Sequence, residues 1–416
     1  MQMELALKQS QRSARVIGII STAHFFSHFF MLLLPPLFPL LKDVYGVGFT
    51  ELGLAVTVYS FTTALTQAPV GFLVDRYGAR AILISGLGLE ALAFMLIGII
   101  PAYAALLSLM VLAGLGNAVF HPADYSILNA SVDTDRMGRA FSIHTFAGQL
   151  GNAVAPVTMI FLMTLTDWRT ALIICGLAGG AVALVILFNS EVIRETKVAR
   201  PERVKTDHEP GVPRRGLKLL FSFPILCGVM FFVGISMFGH GINTFSVSTI
   251  TEIYDAPLTE VGFVLTAYLF AAPAGVLLGG WIADRVSRHD AVAAGCFVIM
   301  AACLFSVAAF SLSLIAIAML FAVAGLFSGM VAPSRDMMIR SVTPAGEMGK
   351  VFGFVSTGFN IGGMVAPVVF GYILDHAEPR SVFWTVGAVA IATVATVLYT
   401  GRQGRRVGAI RDVGKA

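Results

Sequence analysis

Charged residues along this chain come in clusters, and between the clusters run apolar stretches of 18 or more uncharged residues. At ~1.5 Å of rise per residue, a stretch of that length reaches across a bilayer as a helix. The pattern predicts twelve such spans, at 16–41, 51–73, 81–99, 104–128, 140–164, 169–189, 218–249, 258–282, 291–311, 313–338, 350–374 and 381–400. The basic residues follow the spans. With both ends placed inside, 24 of the 28 lie on the cytoplasmic side, leaving Lys42, Arg169 and Arg380 in outer loops and Arg335 within a span. That asymmetry is the positive-inside signal of a multi-pass membrane protein.

The polar positions also repeat. Gly71-Phe72-Leu73-Val74-Asp75-Arg76, followed by Arg80, recurs as Gly280-Trp281-Ile282-Ala283-Asp284-Arg285, followed by Arg288. The offset is 209 residues for Gly71 and Gly280 and for Asp75 and Asp284, and is shared by Glu51 and Glu260 and by Tyr59 and Tyr268. Downstream, Met137-Gly138-Arg139 matches Met348-Gly349-Lys350, and Ala155-Pro156 matches Ala366-Pro367, at offset 211. A self-similarity this long predicts two parallel halves. The expected organisation is a six-helix bundle over 1–189, a charged, proline-containing cytoplasmic linker over 190–217, a second bundle over 218–400, and an unstructured cytoplasmic tail over 401–416. The expected fold class is an all-α membrane protein of twelve transmembrane helices in two pseudo-symmetric six-helix bundles.

Composition narrows the classes further. The chain is 57% hydrophobic and 12% charged, about half the charge of an average soluble protein, so it exceeds what a soluble core could hide. The formal charge of +4 resides in cytoplasmic loops and gives no reason to expect nucleic acid. Cys175, Cys227, Cys296 and Cys303 all fall within spans, where small core-packing residues are expected and no disulfide. Lys8, Arg12 and Arg15 before the first span imitate a signal peptide. The apolar run is too long and lacks a small-residue cleavage site, so an uncleaved first helix is expected.

Titratable groups inside a span are expensive and mark function more often than packing. His24 and His28, four residues apart, share a helix face in the first span. Asn117, His121 and Asp124 form one polar stripe in the fourth, with Ser328, Ala332 and Arg335 at the equivalent positions of the second half. Glu90 lies in the third span, and Gly239-His240-Gly241-Ile242-Asn243 suggests a loosened, cavity-lining helix in the seventh. The candidate substrate contacts are therefore His24, His28, Asn117, His121, His240, Asn243 and Arg335. His28, Glu90 and Asp124 are the candidate proton-coupling groups. Asp75, Arg76, Arg80, Asp284, Arg285, Arg288 and Asp336 are candidates for gating. Each has a plainer reading as a hydrogen-bonded packing residue or an anchoring charge. Asp124 and Arg335 could meet across the halves, or Asp124 could pair with Arg76 or Arg80 and Arg335 with Asp336.

Twelve spans in two repeats, each carrying Gly-x-x-x-Asp-Arg, resemble the major facilitator superfamily. The resemblance implies two bundles around a central cavity, alternating access by rocking, and a cytoplasmic latch built from the repeated loops. A narrower resemblance, to the fosmidomycin-resistance type of exporter, rests on His24, Pro39-Leu40-Leu41, Phe120-His121-Pro122 with Asp124 after it, and Gly151 to Pro156. This chain departs from that type in carrying His28 where an acid is expected and Ala155 where a glycine is. The arginine that many proton-driven exporters show in the middle of the fourth helix is also absent here, with Met110 and Leu112 nearby.

No Gly-x-x-x-x-Gly-Lys-Ser/Thr loop and no soluble-enzyme constellation of nucleophile and base is present, and neither an enzyme nor a cofactor or metal is expected. Energy would come from an ion gradient, with protons the natural choice, since histidine titrates near pH ~6.5. The expectation is proton-coupled export of a small amphiphilic or anionic compound from the bacterial inner membrane by a monomer with both termini cytoplasmic. The alternatives are proton-coupled uptake of a small organic anion and a transporter-like sensor or assembly factor.

Overall fold

The structure is a computed structural model in which residues 2–132, 136–189, 193, 219–343 and 348–413 are described. The described residues are almost entirely helical. The helices are α1 (Gln2–Met31), α2 (Phe38–Tyr45), α3 (Phe49–Tyr77), α4 (Ala79–Ile99), α5 (Tyr103–Asn117), α6 (Phe120–Ser131), α7 (Met137–Leu165) and α8 (Trp168–Phe188). The second half supplies α9 (Phe223–Tyr254), α10 (Leu258–Ala283), α11 (His289–Ala309), α12 (Leu314–Val342), α13 (Met348–His376) and α14 (Arg380–Val413). Among the described residues, eleven segments are long and apolar enough to cross a membrane. α3, at 29 residues, is the remaining long helix, and Thr57, Thr62, Thr63, Thr66 and Gln67 dilute its apolar character.

Two expected spans are interrupted, and proline explains both. The first ends its α-helix at Met31 and passes through a 3-10 turn at Pro35–Leu37 before α2, because Pro35 and Pro36 have no N–H to donate. The fourth breaks between α5 and α6, where Pro122 cannot bond back to Ala118. The loosened helix expected around Gly239 and Gly241 is instead continuous in α9. A side chain at Gly241 would collide with Val386 and crowd Phe370, so this glycine serves close packing. The expected linker lies outside the described residues apart from Ile193. The unstructured tail expected from residue 401 is helical through Val413.

The chain divides into two compact units, one of residues 1–37 and 58–213, the other of 38–57 and 214–416. The division departs from the expected boundary by giving α2 and the start of α3 to the second unit. Asp375 on α13 explains this, because its carboxylate accepts from the N–H groups of Phe49 and Thr50 at 2.8 and 2.7 Å and from the Thr50 hydroxyl at 2.6 Å. It thereby satisfies amides that have no partner in the first turn of α3. In the same region Gly53 lies against the Pro367 carbonyl and Gly371 against that of Phe49.

Three helix pairings recur in both units. α1 packs on α7 and α4 on both α5 and α8, while α9 packs on α13 and α11 on both α12 and α14. A Cβ at Gly114 would lie 2.6 Å from the Tyr59 carbonyl, and one at Gly325 would strike that of Tyr268. At this crossing the internal repeat is also a repeat of packing, closed by a glycine in each unit. Large side chains such as Phe72, Phe188 and Leu277 remain exposed, as expected for surface that faces lipid rather than water.

Candidate functional site

α1, α6 and α7 converge on a polar cluster inside the first unit. α1 contributes His24 and His28, α6 contributes His121 and Asp124, and α7 contributes His144 and Asn152. His24 and His144 stack with ring centroids 3.8 Å apart and planes inclined by 20°. His28 lies edge-on to His24 at 4.6 Å, and His121 is 5.7 Å away. Asp124 Oδ2 is 3.4 Å from His24 Nδ1 and 3.6 Å from His144 Nε2.

Asp124, His144 and His24 are 0%, 2% and 5% exposed. Among the described residues, neither oxygen of Asp124, nor Nδ1 of His24, nor either ring nitrogen of His144 has a hydrogen-bond partner. The carboxylate is thus close enough for charge interaction with both rings, without hydrogen-bond geometry to either. His28 is held by Asn152, whose amide nitrogen is 3.0 Å from its Nδ1. His28 is half-buried and His121 exposed, so these two connect the cluster to accessible surface. Room for the imidazoles comes from Gly148, where a Cβ would lie 2.8 Å from the His24 ring and 2.9 Å from that of His28.

Asp124 therefore takes neither Arg76 nor Arg80 as its partner. Its stripe on α6 turns toward α1 and α7, whereas Arg76 remains at the end of α3 with its guanidinium 5.2 Å from the Tyr77 ring. Arg335 follows the within-half alternative, donating from Nε to Asp336 at 2.8 Å. Its guanidinium also lies 5.1 and 5.4 Å from the rings of Phe232 and Phe359.

A second polar contact adjoins the upper end of the stripe. Glu90, fully buried on α4, accepts at Oε1 from the Tyr59 hydroxyl at 2.9 Å and from the Asn117 amide at 3.4 Å. Its Oε2 has no partner among the described residues. Asn117 and Asp124 thus place the two ends of one stripe against two separate groups, Glu90 and the histidine cluster. The second unit keeps the tyrosine but not the acid, since Tyr268 donates to Ser328, the counterpart of Asn117, at 2.9 Å.

The other candidates are spread out. His240 Nδ1 is 2.9 Å from the Ser236 carbonyl, and the Ser236 hydroxyl donates to the Phe359 carbonyl at 2.8 Å. Asn243 Oδ1 is buried without a partner among the described residues. In the repeated loops, Asp75 and Asp284 are exposed at the ends of α3 and α10, and Arg80 is half-buried in the first turn of α4. Arg285 folds back over Trp281 at 4.1 Å and donates to its carbonyl. Arg288 lies 3.6 Å from the buried Asp290. The first loop narrows to Gly78 alone, whose φ of 91° is a conformation that favours glycine.

His144, Asn152, Gly148 and Tyr59 join these sites without having been candidates. His144 is an isolated histidine in the fifth span, and nothing in its sequence neighbourhood points to α1. Tyr59 carried one signal, its recurrence as Tyr268.

Both halves match the family model described as Major Facilitator Superfamily, over residues 20–247 and 225–414, and the chain belongs to that superfamily. It is 22% identical over 417 residues to a probable sulfoacetate transporter, SauU, of Cupriavidus necator, covering 95% of this chain and 97% of the relative. It is 23% identical over 394 residues to the fosmidomycin resistance protein of Escherichia coli, covering 90% of each. A D-galactonate transporter of Escherichia coli is 20% identical over 392 residues, covering 88% and 90%. Among solved structures, a bacterial homologue of the human lysosomal transporter Spinster, inward-facing and unoccupied, has the same fold. Its TM-score is 0.74 at 13% identity, covering 95% of this chain and 97% of that one. The protein is a multi-pass membrane transporter of small molecules, not an enzyme.

Proposed function

We propose that the protein is a proton-coupled antiporter that exports a small anionic or amphiphilic compound across the bacterial inner membrane, as a monomer with both termini cytoplasmic. The observation that carries the proton coupling is Glu90, a carboxyl sealed inside membrane-crossing helices with one oxygen unpartnered. Through Asn117 it touches the stripe that also bears His121 and Asp124. An intramembrane carboxyl placed this way is a proton relay by default expectation. A coupling group must bind its proton differently in the two access states, because equal affinity shifts no equilibrium. Of the three coupling candidates Glu90 is thus the favoured one, and His28 and Asp124 act within the histidine cluster.

For the cargo, Arg335 offers a guanidinium set against two aromatic rings, a combination that suits a carboxylate or sulfonate beside an apolar body. His24, His28, Asn117 and His121 on the first unit and His240 and Asn243 on the second supply the remaining polar contacts. The repeated loops, with Asp336, serve as the cytoplasmic latch. A second reading, uptake of a small organic anion together with protons, draws support from relatives named for sulfoacetate and D-galactonate. Purified protein in liposomes with an internal pH-sensitive dye separates the two. A proton gradient is imposed and organic anions are added outside. Proton efflux on substrate entry indicates antiport, and proton entry with substrate indicates symport.

A further inference from the structure

The Asp124 carboxylate and the two histidines beside it present three donor atoms, each from a different helix and all within 4.8 Å of one another. We propose that His24 Nδ1, Asp124 Oδ2 and His144 Nε2 form a binding site for a divalent first-row transition-metal ion of the Zn²⁺ class. This goes beyond the transport of an anion, and it does not depend on transport direction or on Glu90.

The spacing is the first argument. A charge-assisted hydrogen bond between imidazole and carboxylate closes to ~2.7–2.9 Å, whereas these pairs stand at 3.4 and 3.6 Å. Two ligands bound to one Zn²⁺ at ~2.0–2.1 Å and tetrahedral angles stand about 3.4 Å apart. The second argument is unmet bonding capacity. All three side chains are more than nine-tenths buried, and among the described residues the donor atoms named have no hydrogen-bond partner. A buried carboxylate left in that state is costly, and a cation bound between it and two neutral imidazoles removes the cost. The third is ligand chemistry. Two imidazoles and one carboxylate suit Zn²⁺, Co²⁺, Ni²⁺ or Cu²⁺, while Mg²⁺ and Ca²⁺ prefer oxygen throughout.

The surroundings allow occupancy. The stacked rings of His24 and His144 must splay for both to point at one ion, and Gly148 has no side chain to press on the His24 ring that lies against it. His28 and His121 lie between the cluster and accessible surface, offering nitrogens along the way in. The fourth coordination position is left for water or a donor from the cargo, as in open zinc sites. The three ligands sit at positions 24, 124 and 144, far outside the short spacings by which metal motifs are read from a sequence.

The test is titration of the purified full-length protein with Co²⁺, followed by the visible ligand-field bands of four-coordinate cobalt. The expected result is one Co²⁺ per chain, displaced by Zn²⁺, with affinity lowered at least about tenfold in His144→Ala and in Asp124→Asn. His376→Ala, a substitution at an exposed histidine on α13, should leave binding unchanged. Because a core variant could fail to fold, Cu²⁺-loaded wild-type protein is also examined by pulsed EPR, which counts coordinated imidazoles, and two are expected. Absence of stoichiometric Co²⁺ binding by wild type, binding unaffected by both cluster variants, or fewer than two imidazoles on copper would each overturn the assignment.

Discussion

The hydroxyl of Tyr59 donates to the carboxyl of Glu90 at 2.9 Å, and both side chains are buried between helices that cross the membrane. The equivalent tyrosine in the second unit, Tyr268, meets the hydroxyl of Ser328 instead. The two halves therefore share a crossing but not its chemistry, and only the first places a carboxyl there.

Replacing Glu90 by Gln keeps an oxygen for Tyr59 and Asn117 while removing the titratable proton. The stability of Glu90→Gln should stay within about 1 kcal/mol of wild type, with substrate exchange retained and gradient-driven accumulation lost. Tyr59→Phe should instead lower stability by about 1–3 kcal/mol, because a buried acceptor loses its better donor. Thermal unfolding in detergent, read beside exchange and accumulation in liposomes, distinguishes the two.

Arg335→Lys retains the charge but loses the planar group that lies against Phe232 and Phe359. For an anionic substrate, KM should rise at least about tenfold on a bidentate or stacked contact of this kind, with the protein still folded. An unchanged KM across anions would remove Arg335 from the substrate site.

The glycine crossings give a stability test inside each unit. Gly114→Ala and Gly325→Ala push a methyl into the carbonyls of Tyr59 and Tyr268 and should destabilise by about 1–3 kcal/mol. Gly353→Ala, with nothing within 4 Å of its Cβ position, should be neutral or stabilising by up to about 1 kcal/mol. Thermal melts of the three variants check the order.

Asp375→Ala removes the acceptor for three bonds at the start of α3 and should cost about 1 kcal/mol. Hydrogen exchange at Phe49 and Thr50 should speed up while that of α9 stays unchanged. At the start of α8, the Asp167 carboxylate accepts from the Thr170 hydroxyl at 2.7 Å and from the amides of Thr170 and Arg169, which holds its pKa below the usual value. A lowered folded pKa means that the stabilisation is complete above the unfolded value and fades as pH falls through the folded one. The melting difference between wild type and Asp167→Ala should hold steady from neutral pH and shrink below roughly pH 4.

The helices and the repeat were legible because a bilayer demands long apolar spans and because Gly-x-x-x-Asp-Arg occurs at a constant offset. The site was legible in part. His24, His28, His121 and Asp124 stood out as polar residues on apolar helices, but the sequence offered only arginines as partners for Asp124. What it could not display was the crossing of α7 over α1, which turns an isolated His144 into a neighbour of His24. Asp375 was hidden for the same reason, since a cap supplied by another helix leaves no local pattern. Gly241 misled because a glycine read as flexibility is here a point of close packing.

The most direct test of the account is compound-dependent proton movement in liposomes containing wild-type protein or Glu90→Gln, with a panel of small organic anions. The account predicts that a transported anion dissipates an imposed proton gradient in wild type, and that Glu90→Gln exchanges the same anion without moving protons. Proton movement of undiminished size in Glu90→Gln, or anion transport by wild type with no proton movement at all, would contradict it.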